Sequence, residues 1–371
     1  MKLYPKLILD ALTKVRYPGT DKNIVEAGMV DDNIRIEGRK VSFALLFAKP
    51  NDPFVDSVVR AAEAAVLKYV SPEVDIRGNI RPAFASSPLP KEPDALLPQV
   101  KNILVVASGK GGVGKSAVTA NLAVALAGMG YRVGLLDADI FGPSQPKMFH
   151  VEDVRPEAET VDGRELIRPA TNYGVKLLSI GFFVNRTDAV VWRGAMASNA
   201  LKQLIGDADW GTLDYFLVDL PPGTSDIHLT VVQTLAVTGA VIVSTPQEVA
   251  LADARKAISM FASEKISVPV LGLVENMSWF TPAELPDNRY YIFGKDGCKR
   301  LAAELNVPLL GQIPIVQSIC ESGDRGEPAA LHPETVTGAA FHALAKQVVE
   351  QTAFRNAHLA PTRRVKVNAD D

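Results

Sequence analysis

The chain is predicted to be a parallel α/β sheet covered by helices, preceded by a smaller α/β unit. Three observations predict this. From residue 101 onward, short β-branched runs alternate with amphipathic stretches. The first of those runs enters a glycine-rich turn that opens a helix. A stretch containing Pro82, Pro88, Pro90, Pro93 and Pro98 separates this region from what precedes it. Proline at that density continues neither a helix nor a central strand, so the stretch reads as an extended linker. The expected organisation is residues 1–80 as the small unit, 81–100 as linker, 101–355 as the main domain and 356–371 as a polar tail.

In the small unit, Leu7, Ile8, Ala11, Leu12 and Val15 recur at helical spacing within 4–15. Two strands are expected over 34–37 and 41–47, joined at Gly38. A second helix is expected over 53–69, with Pro53 suited to its first turn. A third strand is expected over 74–80. In the main domain the expected strands are 103–107, 132–136, 175–180, 215–220, 240–244, 270–274 and 309–313. The expected helices are 116–128, 195–205, 227–238, 251–264, 298–305 and 335–352. Apolar strands alternating with helices indicate a parallel sheet buried on both faces.

The chain has 371 residues, 47% hydrophobic and 22% charged, which excludes disordered, collagen-like and disulfide-scaffold classes. The net charge is −3, with 39 basic and 42 acidic residues, so a whole-chain nucleic-acid binder is not expected. Two cysteines, Cys298 and Cys320, indicate no disulfide framework. The start lacks the apolar core of a signal peptide. No apolar run of about 18 residues is present. A soluble cytoplasmic protein is expected, with no membrane partner. The five histidines show no zinc-binding spacing.

The glycine-rich turn reads Gly109-Lys110-Gly111-Gly112-Val113-Gly114-Lys115-Ser116. It matches GxxxxGK[ST] between a strand and a helix, the context in which backbone N–H groups cradle phosphates. Lys115 is expected on the β- and γ-phosphates of ATP, and the Ser116 hydroxyl on Mg²⁺. Two acidic strand ends follow, Asp137-Ala138-Asp139 and Asp219. A carboxylate at a buried strand end is costly unless it is paired or close to a metal. Asp219 is therefore expected on the Mg²⁺ shell through water. Asp139 is expected to orient the attacking water or accept its proton, and residues 221–226 to sense the γ-phosphate.

The second lysine, Lys110, makes GKGGVGKS resemble the deviant Walker A motif of the ParA/MinD/nitrogenase-iron-protein class of P-loop NTPases. That likeness implies that Lys110 reaches the partner's nucleotide across a homodimer. With LLDADIFGPSQP, WRGAMASNALKQL, DWGTLDYFLVDLPPGTSD and VENMSWF in the same order, residues 101–344 resemble the Mrp/ApbC family of iron–sulfur cluster carrier ATPases. The segment VRYPGTDKNIVEAGMV resembles the small metal–sulfur cluster assembly domain often fused to that family. The resemblance implies an ATP-hydrolysing homodimer that binds a cluster and passes it to apoprotein clients, working with iron–sulfur assembly proteins. It also implies adenine recognition by Asn276. Many members carry a CxxC after NMSWF; here the segment reads NMSWFTPAELPDNRYYIFGKDG, without cysteine. Cys298 and Cys320 are then either cluster ligands, four thiolates from two chains, or two buried apolar thiols. A helix N-terminus at Cys298 favours its thiolate. Two alternatives stay open: an ATP-switched assembly factor or metallochaperone that holds no cluster, and a ParA/MinD-type positioning ATPase. Trp192-Arg193-Gly194 is either a partner-binding or switch element or a structural turn.

Overall fold

A computed structural model describes residues 3–18, 22–30, 34–47, 54–84, 96–161, 163–183, 194–282, 284–285 and 288–365. The chain divides into two compact units, Met1–Leu89 with Asn356–Pro361, and Pro90–Arg355 with Thr362–Asp371.

The first unit contains α1 (Pro5–Leu12), β1 (Arg35–Glu37), β2 (Lys40–Phe47), α2 (Val55–Tyr69) and β3 (Ile80–Phe84). β2 alternates buried and less buried residues along its whole length, the period of a sheet with one face in a core. Val41, Phe43, Leu45 and Phe47 from that face pack with Ile8, Leu12, Val58 and Val66. β1 pairs antiparallel and β3 parallel with β2. The third strand lies beyond the expected 74–80 and includes Pro82, inside the segment expected as linker. Proline is tolerated there because β3 is an edge strand.

The second unit runs β4 (Val100–Ala107), α3 (Lys115–Gly128), β5 (Val133–Asp137), α4 (Gln145–Met148), β6 (Ala158–Val161), β7 (Arg164–Ile167), β8 (Ala170–Asn172) and β9 (Val175–Ser179). It continues with α5 (Gly194–Gly206), β10 (Leu213–Asp219), α6 (Asp226–Thr234), β11 (Gly239–Ser244), α7 (Glu248–Ala262), β12 (Val270–Glu275), α8 (Gly297–Glu304), β13 (Leu309–Gln312), α9 (Gln317–Arg325) and α10 (Val336–His358). The sheet order is β13-β12-β11-β4-β10-β5-β9-β8, parallel except for the edge strand β8. β4 sits in the middle, between β11 and β10. Its residues Leu104–Ala107 are fully buried, as expected for a strand covered on both faces.

Two helix ends and the tail differ from expectation for visible reasons. α6 stops at Thr234 rather than 238, because the Thr238 hydroxyl accepts the Ile103 N–H at 3.0 Å and belongs to the sheet. α10 runs to His358, past the expected end at 352, with Thr352 and Arg355 still buried at its C-terminal end. The polar tail is tied down at Val365, whose N–H donates to the Val232 carbonyl at 2.9 Å. The hairpin β6–β7, the edge strand β8, α4 and α9 were not anticipated. Trp192 and Arg193 lie outside the described residues.

Candidate nucleotide site

The parallel strands end together, and their C-terminal edge collects the chemistry, as open α/β sheets do. Asp219 closes β10 and Asp137 closes β5, directly opposite each other in register. The glycine-rich turn leaves the same edge of β4.

Two glycines of that turn are required by packing. Gly114 has φ +80°, and a Cβ there would collide with the Asn276 amide. A Cβ at Gly109 would collide with the backbone of Asp253 and Ala254. The loop is thus closed on one side by α7 and on another by Asn276, whose Nδ2 donates to the Val113 carbonyl at 2.8 Å. Asn276 follows Glu275, a fully buried carboxylate. Glu275 accepts the Cys298 N–H at 2.7 Å and the Gln312 amide at 2.7 Å, so it sits against the N-terminus of α8.

Lys115 is 6% exposed and donates to Asp219 Oδ1 at 2.6 Å and to Ser116 Oγ at 3.2 Å. Asp219 is fully buried. Its Oδ1 also accepts from Thr119 at 3.0 Å, and its Oδ2 accepts from Gln145 Nε2 at 2.8 Å. Asp137 accepts from the Ser179 hydroxyl at 3.0 Å and the Gln145 N–H at 3.2 Å. Burial first, and the neighbouring Asp219 second, push its carboxyl well above the usual range. Asp139 is half-buried on the loop that follows β5; burial raises its carboxyl and Lys115 partly opposes the rise. The same loop carries Phe141, 71% exposed. Lys110 is exposed, and its carbonyl accepts from the Ser108 hydroxyl at 3.0 Å.

The structure therefore gathers Gly109 to Ser116, Asp139, Asp219 and Asn276 around one strand edge. Sequence reasoning missed Thr119, Gln145, Ser179 and His228. His228, expected to be ordinary, is buried in the first turn of α6. Its Nδ1 accepts the Ser225 N–H at 3.2 Å, and burial pushes the ring down to about 4. Neutral imidazole with Nδ1 accepting leaves the proton on Nε2, which has no partner among the described residues.

Of the two readings open for Cys298, the structure shows the buried thiol. It starts α8, but burial wins over the helix end: the residue is fully buried, Glu275 adds negative charge nearby, and the thiol is pushed up to about 12. Its Sγ points to the Thr245 carbonyl at 3.9 Å. In this structure Cys298 is a buried core thiol. Cys320 lies within α9, and its side chain is outside the described residues. Among the described residues no cluster of three or more His, Cys, Asp or Glu side chains is placed to hold a metal ion, and no helix is long and apolar enough to cross a membrane.

Residues 99–349 match the family model of the NUBPL iron-transfer P-loop NTPase. Residues 6–75 match that of the iron–sulfur cluster assembly protein. The chain is 42% identical over 351 residues to an iron–sulfur cluster carrier protein of Synechocystis, covering 94% of this chain and 97% of the relative. It is 44% identical over 293 residues to the iron–sulfur cluster transfer protein NUBPL of Mus musculus, covering 78% and 86%. Among solved structures, a nucleotide-binding protein from Archaeoglobus fulgidus in complex with ADP superimposes with a TM-score of 0.54 at 39% identity, covering 62% of this chain and 88% of that one.

Proposed function

The chain belongs to the iron–sulfur cluster carrier family of P-loop NTPases, and on that premise we propose that it is a Mg²⁺-dependent ATPase, acting as a homodimer, that carries iron–sulfur clusters to apoprotein clients. The observation that carries the nucleotide half is the convergence of Lys115, Ser116 and Asp219 at the mouth of a glycine-rich loop, on the central strand of a parallel sheet. One family model describes an iron-transfer P-loop NTPase and the other an iron–sulfur cluster assembly protein, which supports the carrier reading over a positioning ATPase.

In this reading Lys115 exchanges its carboxylate partner for the β- and γ-phosphate oxygens. Ser116 Oγ, with Asp219 behind it through water, would hold Mg²⁺, and the donor set fits: a hydroxyl and a buried carboxylate, both oxygen donors of the kind Mg²⁺ takes. Mg²⁺ supplies charge neutralisation on the phosphates. Asp139 lies on the same edge, with its carboxyl raised by burial above the ordinary range, and is assigned to orient water and take its proton. The water oxygen bonds to the γ-phosphorus, the bond to the β–γ bridging oxygen breaks, and ADP and phosphate leave. Lys110, exposed on the loop, is free to reach a partner's phosphates. Asn276, anchored on Val113, borders the nucleotide and is assigned to adenine.

The cluster is cargo. Cys298 favours a second reading, an ATP-switched assembly factor that holds no cluster, because its thiol is sealed in the core. Anaerobic reconstitution with iron and sulfide separates the two. The carrier reading expects visible charge-transfer absorption that vanishes in the double variant Cys298→Ser, Cys320→Ser. The second reading expects none.

A further inference from the structure

We propose that Gln145 is the residue that couples magnesium to the loop bearing Asp139: its side-chain oxygen accepts a hydrogen bond from a water of the Mg²⁺ shell and fixes residues 138–149 when metal and nucleotide are bound. The proposal rests on the nucleotide reading above and assigns a role to a residue outside the GxxxxGK[ST] motif and the acidic strand ends.

Gln145 is fully buried. Its Nε2 donates to Asp219 Oδ2 at 2.8 Å and to the Ser116 carbonyl at 3.1 Å. Both partners can only accept, so both amide hydrogens are used and the assignment of nitrogen and oxygen is fixed. The oxygen Oε1, bonded to the same carbon as Nε2, is buried and has no hydrogen-bond partner among the described residues. Through Nε2 the amide that carries it is held between Ser116 and Asp219, the residues that would hold Mg²⁺. An acceptor buried without a donor costs about 1–3 kcal/mol, and such a group in a native fold calls for an explanation. Mg²⁺ gives up water reluctantly and keeps several waters when bound, and each is a strong donor.

The backbone of the same residue is tied to the other acidic strand end, since the Gln145 N–H donates to Asp137 Oδ2 at 3.2 Å. Gln145 also begins α4, so a bond at its side chain holds the C-terminal end of the loop containing Asp139 and Phe141. Gln145 touches neither phosphate nor attacking water in this scheme. It is a positioning residue that acts through the metal and Asp139.

The test uses the full chain and the substitution Gln145→Met, which keeps the volume and removes the side-chain amide. A fluorescent ATP analogue is titrated with excess Mg²⁺ and again with EDTA, and amide hydrogen exchange of residues 138–149 is followed with and without MgATP. The wild type is expected to bind more tightly with Mg²⁺ and to protect residues 138–149. Gln145→Met is expected to keep its metal-free affinity within about twofold, lose about tenfold of the gain due to Mg²⁺, the size of one hydrogen bond to a charged centre, and show no added protection. An unchanged Mg²⁺ gain with unchanged protection overturns the proposal. So does an equal loss with and without Mg²⁺, which marks a merely structural amide. A wild type that binds no analogue overturns the nucleotide reading itself, a result distinct from either.

Discussion

Lys115 Nζ lies 2.6 Å from Asp219 Oδ1, so the cation assigned to phosphate and the carboxylate assigned to the metal shell neutralise each other inside the fold. Both are buried, and breaking such a pair from one side leaves an uncompensated charge, at about 3–5 kcal/mol. Lys115→Ala is expected to abolish ATP binding and also to lower stability by about that amount. Adding Asp219→Asn to Lys115→Ala is expected to restore most of the stability and none of the binding. Thermal melts and nucleotide titrations of the single and double variants check both halves.

Asp139→Asn is expected to bind ATP as the wild type does and to hydrolyse it about 10²–10⁴-fold more slowly, the usual loss on removing a positioned base. Single-turnover hydrolysis at saturating MgATP measures this. Unchanged turnover would remove Asp139 from the mechanism.

Lys110→Ala is expected to leave nucleotide affinity largely intact while weakening ATP-dependent dimerisation and turnover, because the side chain is exposed and reaches outward. Sedimentation with and without MgATP reads the dimer. Equal dimerisation and equal turnover in the variant would rule out a role across the interface.

His228 fixes a pH dependence. Its ring is lowered in the fold from an ordinary 6.5 to about 4, so the neutral form is the one the fold accepts. The stability it supports is complete above pH 6.5 and is lost as pH falls from there towards 4, in total by about 3 kcal/mol. In His228→Gln this part of the acid limb is expected to flatten. Denaturant titrations between pH 7 and about 4 compare the two chains.

The sheet was legible in the sequence because its strands are apolar runs with one reading each: β4 and β5 fall within a few residues of expectation. The glycine-rich loop was legible because its spacing is dictated by phosphate geometry. Gln145 was not, since a glutamine after a proline–serine turn looks like surface, and only the fold brings it to Asp219. The hairpin β6–β7 had a signal, Asp162-Gly163 between alternating residues, that suits a tight turn. Cys298 shows two effects in competition. Its place at a helix start was readable, whereas the burial and the nearby charge of Glu275 that outweigh it come from parts of the chain distant in sequence.

The central claim is that nucleotide chemistry at this site governs iron–sulfur cargo. The most direct measurement is cluster transfer from the anaerobically reconstituted protein to an apo-acceptor, followed by visible absorption and acceptor activity, with MgATP, with EDTA, and with Lys115→Ala. The account predicts a bound cluster whose transfer rate changes with MgATP in the wild type and is indifferent to it in Lys115→Ala. No cluster uptake, or transfer equally fast under all three conditions, would contradict it.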